Sequence, residues 1–262
     1  MIRTSSAPMI VVAVAAVISS FLLVATASGV ANAAEIKVLS AVGVKPVMIE
    51  LIPQFEQSSG HKVKVDYGTV GALVDRVQKG EGADVVIVSG PQIDVLEKQG
   101  KVASGSRVDF TKLGVGVFVR KGAPKPDVSS VEALQRTLLA AQSIGHADPA
   151  RGGAISAYVA GLLGRLDIAA EIKPKIKLFP PSDYDLIAKG DIEIGFGGIS
   201  EILAAPGVEL VGSLPAAIQH YTLFAAGIAA SSKEQEAGKA FMQFLSSPAA
   251  AAVLKAKSFE RP

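Results

Sequence analysis

A short stretch of the chain combines a strand, a glycine-bearing turn, a helix and a buried strand. The four segments are residues 63–66, 67–71, 73–79 and 84–88. The turn leaves backbone N–H groups without a partner at a helix N-terminus, where the helix macrodipole favours negative charge. Such a turn can bind an anion without any reactive side chain. The stretch therefore predicts a strand-helix-strand unit with an anion site at its first turn.

The same alternation of apolar strands and helical segments continues along the chain. Strands are predicted at residues 36–39, 63–66, 84–88, 114–119, 143–145, 176–179, 192–196, 208–211 and 223–228. Helices are predicted at residues 46–58, 133–140, 233–245 and 249–255, and a further helix is predicted to begin at Ala154. This order predicts an α/β protein with largely parallel sheets. Breaks at residues 121–127 and 219–222 divide the α/β pattern into two groups.

The first 33 residues have the layout of a secretory signal peptide. Arg3 is their single charge, an apolar run covers residues 9–27, and residues 31–33 form a small-residue cleavage site. We expect cleavage before Ala34 and export to the periplasm of a Gram-negative cell. The alternative is an uncleaved membrane anchor, because the run is close to the ~20 residues that span a bilayer.

Charge and cysteine content exclude several classes of function. The chain has 26 basic and 24 acidic side chains, which argues against a nucleic-acid-binding face and against a polybasic membrane site. Without cysteine, it has no disulfide, thiolate metal site, cysteine nucleophile or lipid attachment point. Its three histidines lack the spacing of a metal site, and we expect no metal and no cofactor. His146 lies near Asp148, but no nucleophile motif accompanies them, so we expect a binding protein and not an enzyme.

Five segments taken together resemble the periplasmic molybdate-binding protein family. They are residues 38–43, 67–89, 148–154, 194–198 and 244–259. The resemblance implies a two-lobed type 2 periplasmic binding protein fold, with two mostly parallel sheets joined by a double-crossover hinge. It also implies a monomer that delivers a small anionic ligand to the membrane permease of an ABC importer. The implied division is a signal peptide at 1–33, lobe 1 at 34–119 and 223–262, and lobe 2 at 120–222.

The resemblance also implies where the ligand is held. In that family, hydroxyls and backbone N–H groups hold a tetrahedral oxyanion. Lined up by the preceding strands, two family serines fall on Gly43 and Val70 and a family tyrosine falls on Gly198, while the backbone donor is retained as Ala154. We expect ligand contacts from loops at strand ends, namely from Ser40, Ala41, Gly43, Gly68, Thr69, Val70, Arg151, Ala154, Asp183, Tyr184 and Gly198.

The missing hydroxyls leave the ligand class open. Each lost hydrogen bond costs about 0.5–1.5 kcal/mol, which Ser40, Thr69 or Arg151 could offset. Molybdate or tungstate is one candidate ligand. A planar organic carboxylate, which suits the arginine fork, is the other, and its binder could equally be the partner of a membrane sensor. The glycines and Thr69 also fit simple turn roles, and Arg151 fits an exposed loop charge.

Overall fold

The computed structural model describes Met1 and residues 33–262. The signal-peptide prediction and its membrane-anchor alternative rest on residues 2–32, which lie outside the described part. From Ala34 to Pro262 the chain forms one compact unit. Within this unit, none of the helices combines the length and the apolar character needed to cross a bilayer.

The α/β prediction is confirmed, and each predicted strand corresponds to a strand of the structure. The strands are β1 (Glu35–Ala41), β2 (Lys62–Gly68), β3 (Val85–Ser89), β4 (Val108–Arg120), β5 (Ile144–Ala147), β6 (Ile176–Phe179), β7 (Ile194–Gly198), β8 (Val208–Ser213) and β9 (Tyr221–Ile228). The largest difference is at β4, which begins at Val108 rather than at residue 114. Its early part, with the polar residues Asp109, Thr111 and Lys112, breaks the apolar run that marks the rest of the strand.

Ten helices accompany the strands in the described part of the chain. They are α1 (Lys45–Ser59), α2 (Val70–Gln78), α3 (Gly90–Lys98), α4 (Val131–Ala140), α5 (Ala154–Arg165), α6 (Ala169–Ile172), α7 (Asp185–Lys189), α8 (Ile199–Ala204), α9 (Gln235–Leu245) and α10 (Pro248–Ala256). Four of them, α3, α6, α7 and α8, were not predicted. The last three are too short to show an apolar period of 3.6 residues, and α3 begins with a Gly-Pro pair typical of a turn.

The strands form a curled sheet in the order β2-β1-β3-β9-β4-β7-β5-β6, with β8 also paired to β4. β1 runs parallel to β2 and β3, and β5 runs parallel to β6 and β7. The pairs that involve β4 or β9 are antiparallel. The outer strands therefore follow the predicted parallel pattern, while the two strands that link the halves reverse it.

The buried side chains divide into separate apolar cores along β4. Leu113 packs in the first core, with β1, β3, β9 and the helices α1, α9 and α10. Val115 packs in the second core, with β5, β7 and the helices α4 and α5. Gly114 lies between them and pairs with Tyr221 at the start of β9. The chain thus passes between two lobes at adjacent points of β4 and β9, the arrangement of a double crossover, while the lobe boundaries at 119 and 222 stay a prediction.

One buried carboxylate ties the return segment to the first lobe. Asp84 is 8% exposed and accepts hydrogen bonds from the backbone N–H groups of Lys37 (2.8 Å), Lys233 (3.1 Å) and Glu234 (3.2 Å) and from the Ser232 hydroxyl (2.9 Å). Burial acts to raise the pKa of Asp84, but these hydrogen bonds outweigh it and hold the pKa below its usual value. The ionised carboxylate therefore stabilises the junction of β1, β3 and the segment before α9.

We predict that Asp84→Asn lowers the free energy of unfolding by about 1.5–3 kcal/mol at neutral pH, because an amide cannot accept all four hydrogen bonds. The folded-state pKa is depressed, so this contribution is present above the ordinary aspartate pKa and is lost as pH falls through the folded-state value. Urea unfolding at neutral and acidic pH measures both effects. Asp167→Asn, at an exposed position, is the control. Equal losses in both variants, or a gap that does not narrow in acid, would contradict the assignment.

Candidate ligand-binding cleft

Loops that follow the carboxyl ends of β1, β2, β5, β6 and β7 meet around one cleft between the two cores. The cavity volume is about 70 Å³. α2 and α5 begin at its edge, one from each lobe. The first N–H groups of a helix have no partner within the helix, and the macrodipole makes this end positive. The cleft therefore has two helix ends suited to a negative ligand group.

Five segments of the chain approach the cleft, and the first of these approaches, the loop after β1, places no side-chain donor in it. Ala41, Val42 and Gly43 line the cleft in a tight turn that leads into α1. A Cβ added to Gly43 would lie 3.0 Å from the ring of Phe224, which itself lines the cleft. The neighbouring Ser40 is fully buried, and its hydroxyl lies 3.4 Å from the Ala41 carbonyl oxygen. An aromatic ring therefore fills the place where the family resemblance puts a serine.

The second approach, after β2, consists of Gly68, Thr69 and Val70. The Thr69 hydroxyl oxygen accepts a hydrogen bond from the Ala72 N–H (3.3 Å) and so caps α2. This leaves the hydroxyl hydrogen free to be donated into the cleft. Val70 is 8% exposed and packs in the first core, which explains an apolar residue at this position. Thr69 is thus the hydroxyl donor of this loop.

The third approach, after β5, is shaped by a tight turn. Asp148 accepts a hydrogen bond from the Ala150 N–H (2.9 Å), and Gly152 follows with a φ of 77°. Ala154 then begins α5 and lines the cleft. Arg151 does not line it. Its side chain is 59% exposed and lies 4.0 Å from the Asp148 carboxylate, as expected for a loop charge.

The second and third approaches touch each other. The Gly71 N–H donates a hydrogen bond of 3.0 Å to the Gly152 carbonyl oxygen. A Cβ added to Gly152 would lie 3.1 Å from the Gly71 Cα, so two glycines permit this close approach. The contact joins α2 of the first lobe to the loop before α5 of the second. Both glycines directly adjoin residues that line the cleft, namely Val70 and Gly153.

The fourth and fifth approaches bring a carboxyl group into the cleft. Ser182, Tyr184, Gly198 and Glu201 all line this wall. The Ser182 hydroxyl donates to Glu201 Oε1 (2.8 Å), from a backbone with a φ of 60° that is unusual for a residue other than glycine. A Cβ on Gly198 would lie 2.7 Å from Glu201 Oε2 and 2.8 Å from Leu113. A tyrosine at this position would require the side chains of Glu201 and Leu113 to move.

The electrostatics of this wall depend on burial. Burial raises the pKa of the Glu201 carboxyl, and this effect exceeds the opposing hydrogen bonds from Ser182 and the Gly198 N–H. Burial and the nearby charge of Glu201 raise the pKa of the Tyr184 phenol. Among the described residues that line the cleft, there is no lysine or arginine, and Glu201 is the one carboxylic acid. An anionic ligand would therefore meet amides, apolar walls and a carboxyl group.

The structure brings most of the predicted contact residues together. Eight line the cleft, namely Ala41, Gly43, Gly68, Thr69, Val70, Ala154, Tyr184 and Gly198. The other three do not. Ser40 and Arg151 are placed as described above, and Asp183 is exposed, where its carboxylate accepts a 3.2 Å hydrogen bond from the Asp185 N–H. That the eight residues contact a ligand stays a prediction.

Several residues of the cleft were not among the predicted contacts. The most important are Glu201, Phe224 and Ser182. Glu201 lies in α8, one helical turn after the Gly197-Gly198 pair at the end of β7, and this spacing alone does not mark it as a cleft residue. Phe224 comes from β9, which is remote in sequence from every predicted loop, and no local pattern marks it.

The histidine considered for acid–base chemistry is part of the interior. His146 is 3% exposed, and its Nδ1 lies 2.9 Å from the Ala147 carbonyl oxygen. Burial lowers its pKa, so the neutral ring is favoured. Among the described residues, His, Asp and Glu side chains form no group of three able to hold a metal ion.

Comparison with known proteins agrees with this architecture. The family model for bacterial extracellular solute-binding proteins matches residues 36–260. The chain belongs to this family. A relative from a Pseudomonas species, named aconitate isomerase, is 33% identical over 224 residues and matches 83% of this chain and 84% of its own length. The molybdate-binding protein ModA of Azotobacter vinelandii is 27% identical over 251 residues, which cover 92% of this chain and 97% of that protein.

A solved structure confirms the fold class. The periplasmic molybdate-binding protein of Azotobacter vinelandii superposes with a TM-score of 0.70 at 23% identity, covering 87% of this chain and 99% of that one. This solute-binding protein therefore has the two-lobed type 2 periplasmic binding fold, and its likeness to molybdate-binding proteins is confirmed. The two relatives have names that imply different chemistry, so family membership alone does not give the ligand.

We predict that Gly152→Ala weakens the contact between the two loops. The variant costs about 1–2 kcal/mol from its positive φ, and its Cβ also pushes against Gly71. Gly60→Ala is the matched control, since Gly60 has a φ of 76° and no atom within 4 Å of an added Cβ. Amide hydrogen exchange at Gly71 should speed up in Gly152→Ala and stay unchanged in Gly60→Ala. Equal exchange in both would show that the contact does not hold the loops together.

Proposed function

We propose that this protein is the periplasmic solute-binding component of an ABC importer and that it captures a small organic carboxylate between its lobes. The observation that carries the proposal is a cleft with helix N-termini and apolar walls, no cationic side chain among its described lining residues, and the carboxyl group of Glu201. On this proposal the protein acts as a monomer and hands its ligand to a membrane permease.

The amide-rich side of the cleft accounts for binding of a negative group. α5 presents its N-terminal N–H groups, and α2 presents the N–H of Val70. The next two N–H groups of α2, those of Gly71 and Ala72, already donate to the Gly152 carbonyl oxygen and to the Thr69 hydroxyl oxygen, and Thr69 in turn adds a hydroxyl hydrogen. A carboxylate accepts such hydrogen bonds and is stabilised by the positive helix ends. The eight predicted contact residues that line the cleft serve this role in the proposal.

The opposite wall argues against a fully deprotonated tetrahedral oxyanion. Molybdate and sulfate present only acceptor oxygens, so every orientation of either ion would place acceptors against Glu201 unless its carboxyl group were protonated. A buried acceptor that faces another acceptor lacks a hydrogen bond and is costly. An organic acid differs, because its carboxylate can lie at the helix ends while a hydroxyl or a C–H group faces Glu201. The replacement of three family side chains by Gly43, Val70 and Gly198 fits the same change of ligand.

Apolar side chains supply surfaces for the carbon skeleton of such a ligand. Phe196, Phe224 and Ile155 line the cleft beside the polar groups. Pockets for organic ligands are mostly apolar with a few placed polar groups. The 33% identical relative is named for aconitate, an unsaturated tricarboxylate, and its name supports a carboxylate ligand for this chain.

Contact with both lobes would make ligand binding favour a closed form. The crossings at β4 and β9 act as a hinge in this proposal, and the Gly71 to Gly152 hydrogen bond is a contact of the closed form. A ligand shifts such an equilibrium by its difference in affinity for the two forms. The permease would recognise the closed form.

We predict that a carboxylate, and not molybdate, stabilises the protein in a thermal-shift screen. The panel is trans-aconitate, cis-aconitate, citrate, molybdate, tungstate and sulfate. A ligand at 100 times its Kd adds about 2.7 kcal/mol, which for a domain of this size raises the Tm by roughly 5–10 °C. A rise with molybdate or tungstate alone would contradict the carboxylate proposal and favour an oxyanion transporter.

A second candidate function is isomerisation of an unsaturated polycarboxylate. Glu201 favours it, because a carboxyl group with a raised pKa in an apolar cleft is suited to proton transfer. Ionised Glu201 would take a proton from a CH₂ group beside a carboxylate and return it to the far carbon of the same three-carbon unit. The double bond moves, and the step needs no oxidant and no cofactor. The name of the 33% identical relative supports this candidate as well.

Proton exchange distinguishes the two candidates. If the protein only binds, cis- and trans-aconitate stay unchanged in deuterated buffer, as NMR would show. Interconversion with deuterium incorporation that disappears in Glu201→Gln would establish the isomerase instead. Glu236→Gln, whose side chain is 87% exposed, is the control and should behave as the wild type.

A further inference from the structure

We infer that the cleft takes up one proton at Glu201 when it binds its anionic ligand. The inference rests on the proposed function, since it concerns the same cleft and a carboxylate ligand. It goes further in that the protein would bind the anion and a proton together, and its affinity would depend on pH.

The structure fixes the Glu201 carboxyl group in the wall of the cleft. Oε1 accepts the Ser182 hydroxyl hydrogen at 2.8 Å, and Ser182 is held at a φ of 60°. Such backbone conformations cost free energy and persist where the surroundings enforce them. Gly198 gives Oε2 its room, since any Cβ there would lie 2.7 Å away. The carboxyl group therefore cannot turn away from an arriving ligand without losing this support.

No positive side chain compensates the charge of Glu201 within the described lining of the cleft. The groups that face it are the Ser182 hydroxyl from the loop after β6, the Tyr184 phenol at the start of α7, and the Gly198 N–H from β7. Leu113 from β4 and Ile155 from α5, the other side chains against Gly198, are apolar. Tyr184 is neutral at physiological pH because its pKa is raised. The charge of an ionised Glu201 is therefore balanced by dipoles alone.

A bound carboxylate changes this balance. Its negative charge lies in the same cleft as Glu201, and two like charges close together repel each other. Protonation relieves the repulsion and converts Glu201 from an acceptor into a donor toward the ligand. The proton comes from solvent. Burial already raises the pKa of the free group, and the ligand charge raises it further.

The direction of the pH effect follows from linkage. The pKa of Glu201 is higher in the complex than in the free protein, so full affinity is present below the free-state pKa. Affinity is lost as pH rises toward the pKa of the complex, and between the two values the Kd rises about tenfold per pH unit. Above the pKa of the complex no proton is taken up.

Calorimetric titration tests the inference with propane-1,2,3-tricarboxylate, a saturated probe that cannot isomerise. Binding enthalpies in HEPES and in Tris, at several pH values between about 6.5 and 8.5, give the number of protons taken up, and the Kd values over the same range give the slope. The wild type should take up a proton over part of this range, and its Kd should rise with pH there. Glu201→Gln keeps the side-chain shape, should take up none and should bind with a constant Kd. Glu236→Gln is the control and should match the wild type.

The outcomes separate this inference from the proposed function. Binding by the wild type without proton uptake overturns the inference and leaves the carboxylate proposal in place, and that measurement does not depend on the folding of any variant. Uptake that persists in Glu201→Gln also overturns it, because another group would then be the acceptor. Failure of the probe, citrate and both aconitates to bind overturns both proposals together.

Discussion

The meeting of strand ends at one place between two cores is the constraint on which this structure depends. β1 and β2 in one lobe and β5, β6 and β7 in the other end at the cleft, because each set is parallel. A parallel sheet sends its chain from strand to helix at that edge, so helix N-termini collect there. The antiparallel β4 and β9 place the two sets opposite each other. The proposed anion site, built from backbone groups, depends on this topology.

Within this frame, the chemistry of the cleft is set by what fills the glycine positions. The ring of Phe224 occupies the space beside Gly43, and the carboxyl group of Glu201 occupies the space beside Gly198. In both cases a position that the family resemblance assigns to a hydroxyl-bearing side chain could take one only if these neighbouring side chains moved. Relative to the site that the family resemblance implies, this cleft keeps the helix N-termini but has more apolar walls and an additional carboxyl group. On the proposed function, a fold that supports anion binding in general is thereby adapted to a ligand with an apolar body.

The sequence allowed the fold and about half of the cleft to be predicted, for reasons that differ between residues. Strands with apolar runs and the loops after them follow local rules, which placed Thr69, Ala154 and Tyr184 correctly at the cleft. Ser40 was expected at the cleft but does not line it. Side chains alternate along β1, so the Ser40 side chain is buried while Ala41 lines the cleft. Arg151 was also expected at the cleft, but the turn capped by Asp148 leaves its side chain in solvent.

The residues that sequence reasoning missed depend on long-range packing. Phe224 reaches the first loop only because β9 returns to pair with β3 and β4. Glu201 belongs to a short helix, and a single acidic residue in a helix of six residues is usually a solvent-exposed charge. Its role depends on the φ of Ser182 and on the missing side chain of Gly198, neither of which a local pattern encodes.

The ionisation state of Glu201 in the complex distinguishes the two candidate functions, ligand capture and isomerisation. A protonated carboxyl group donates a hydrogen bond but cannot remove a proton, so a site that takes up a proton on binding is built for capture and release. An ionised carboxyl group kept next to a bound polycarboxylate is a strong base because its protonation would relieve repulsion, and such a site is built for proton transfer. The same fold and nearly the same residues can therefore support transport or isomerisation. The difference lies in how far the helix ends hold the ligand charge from Glu201.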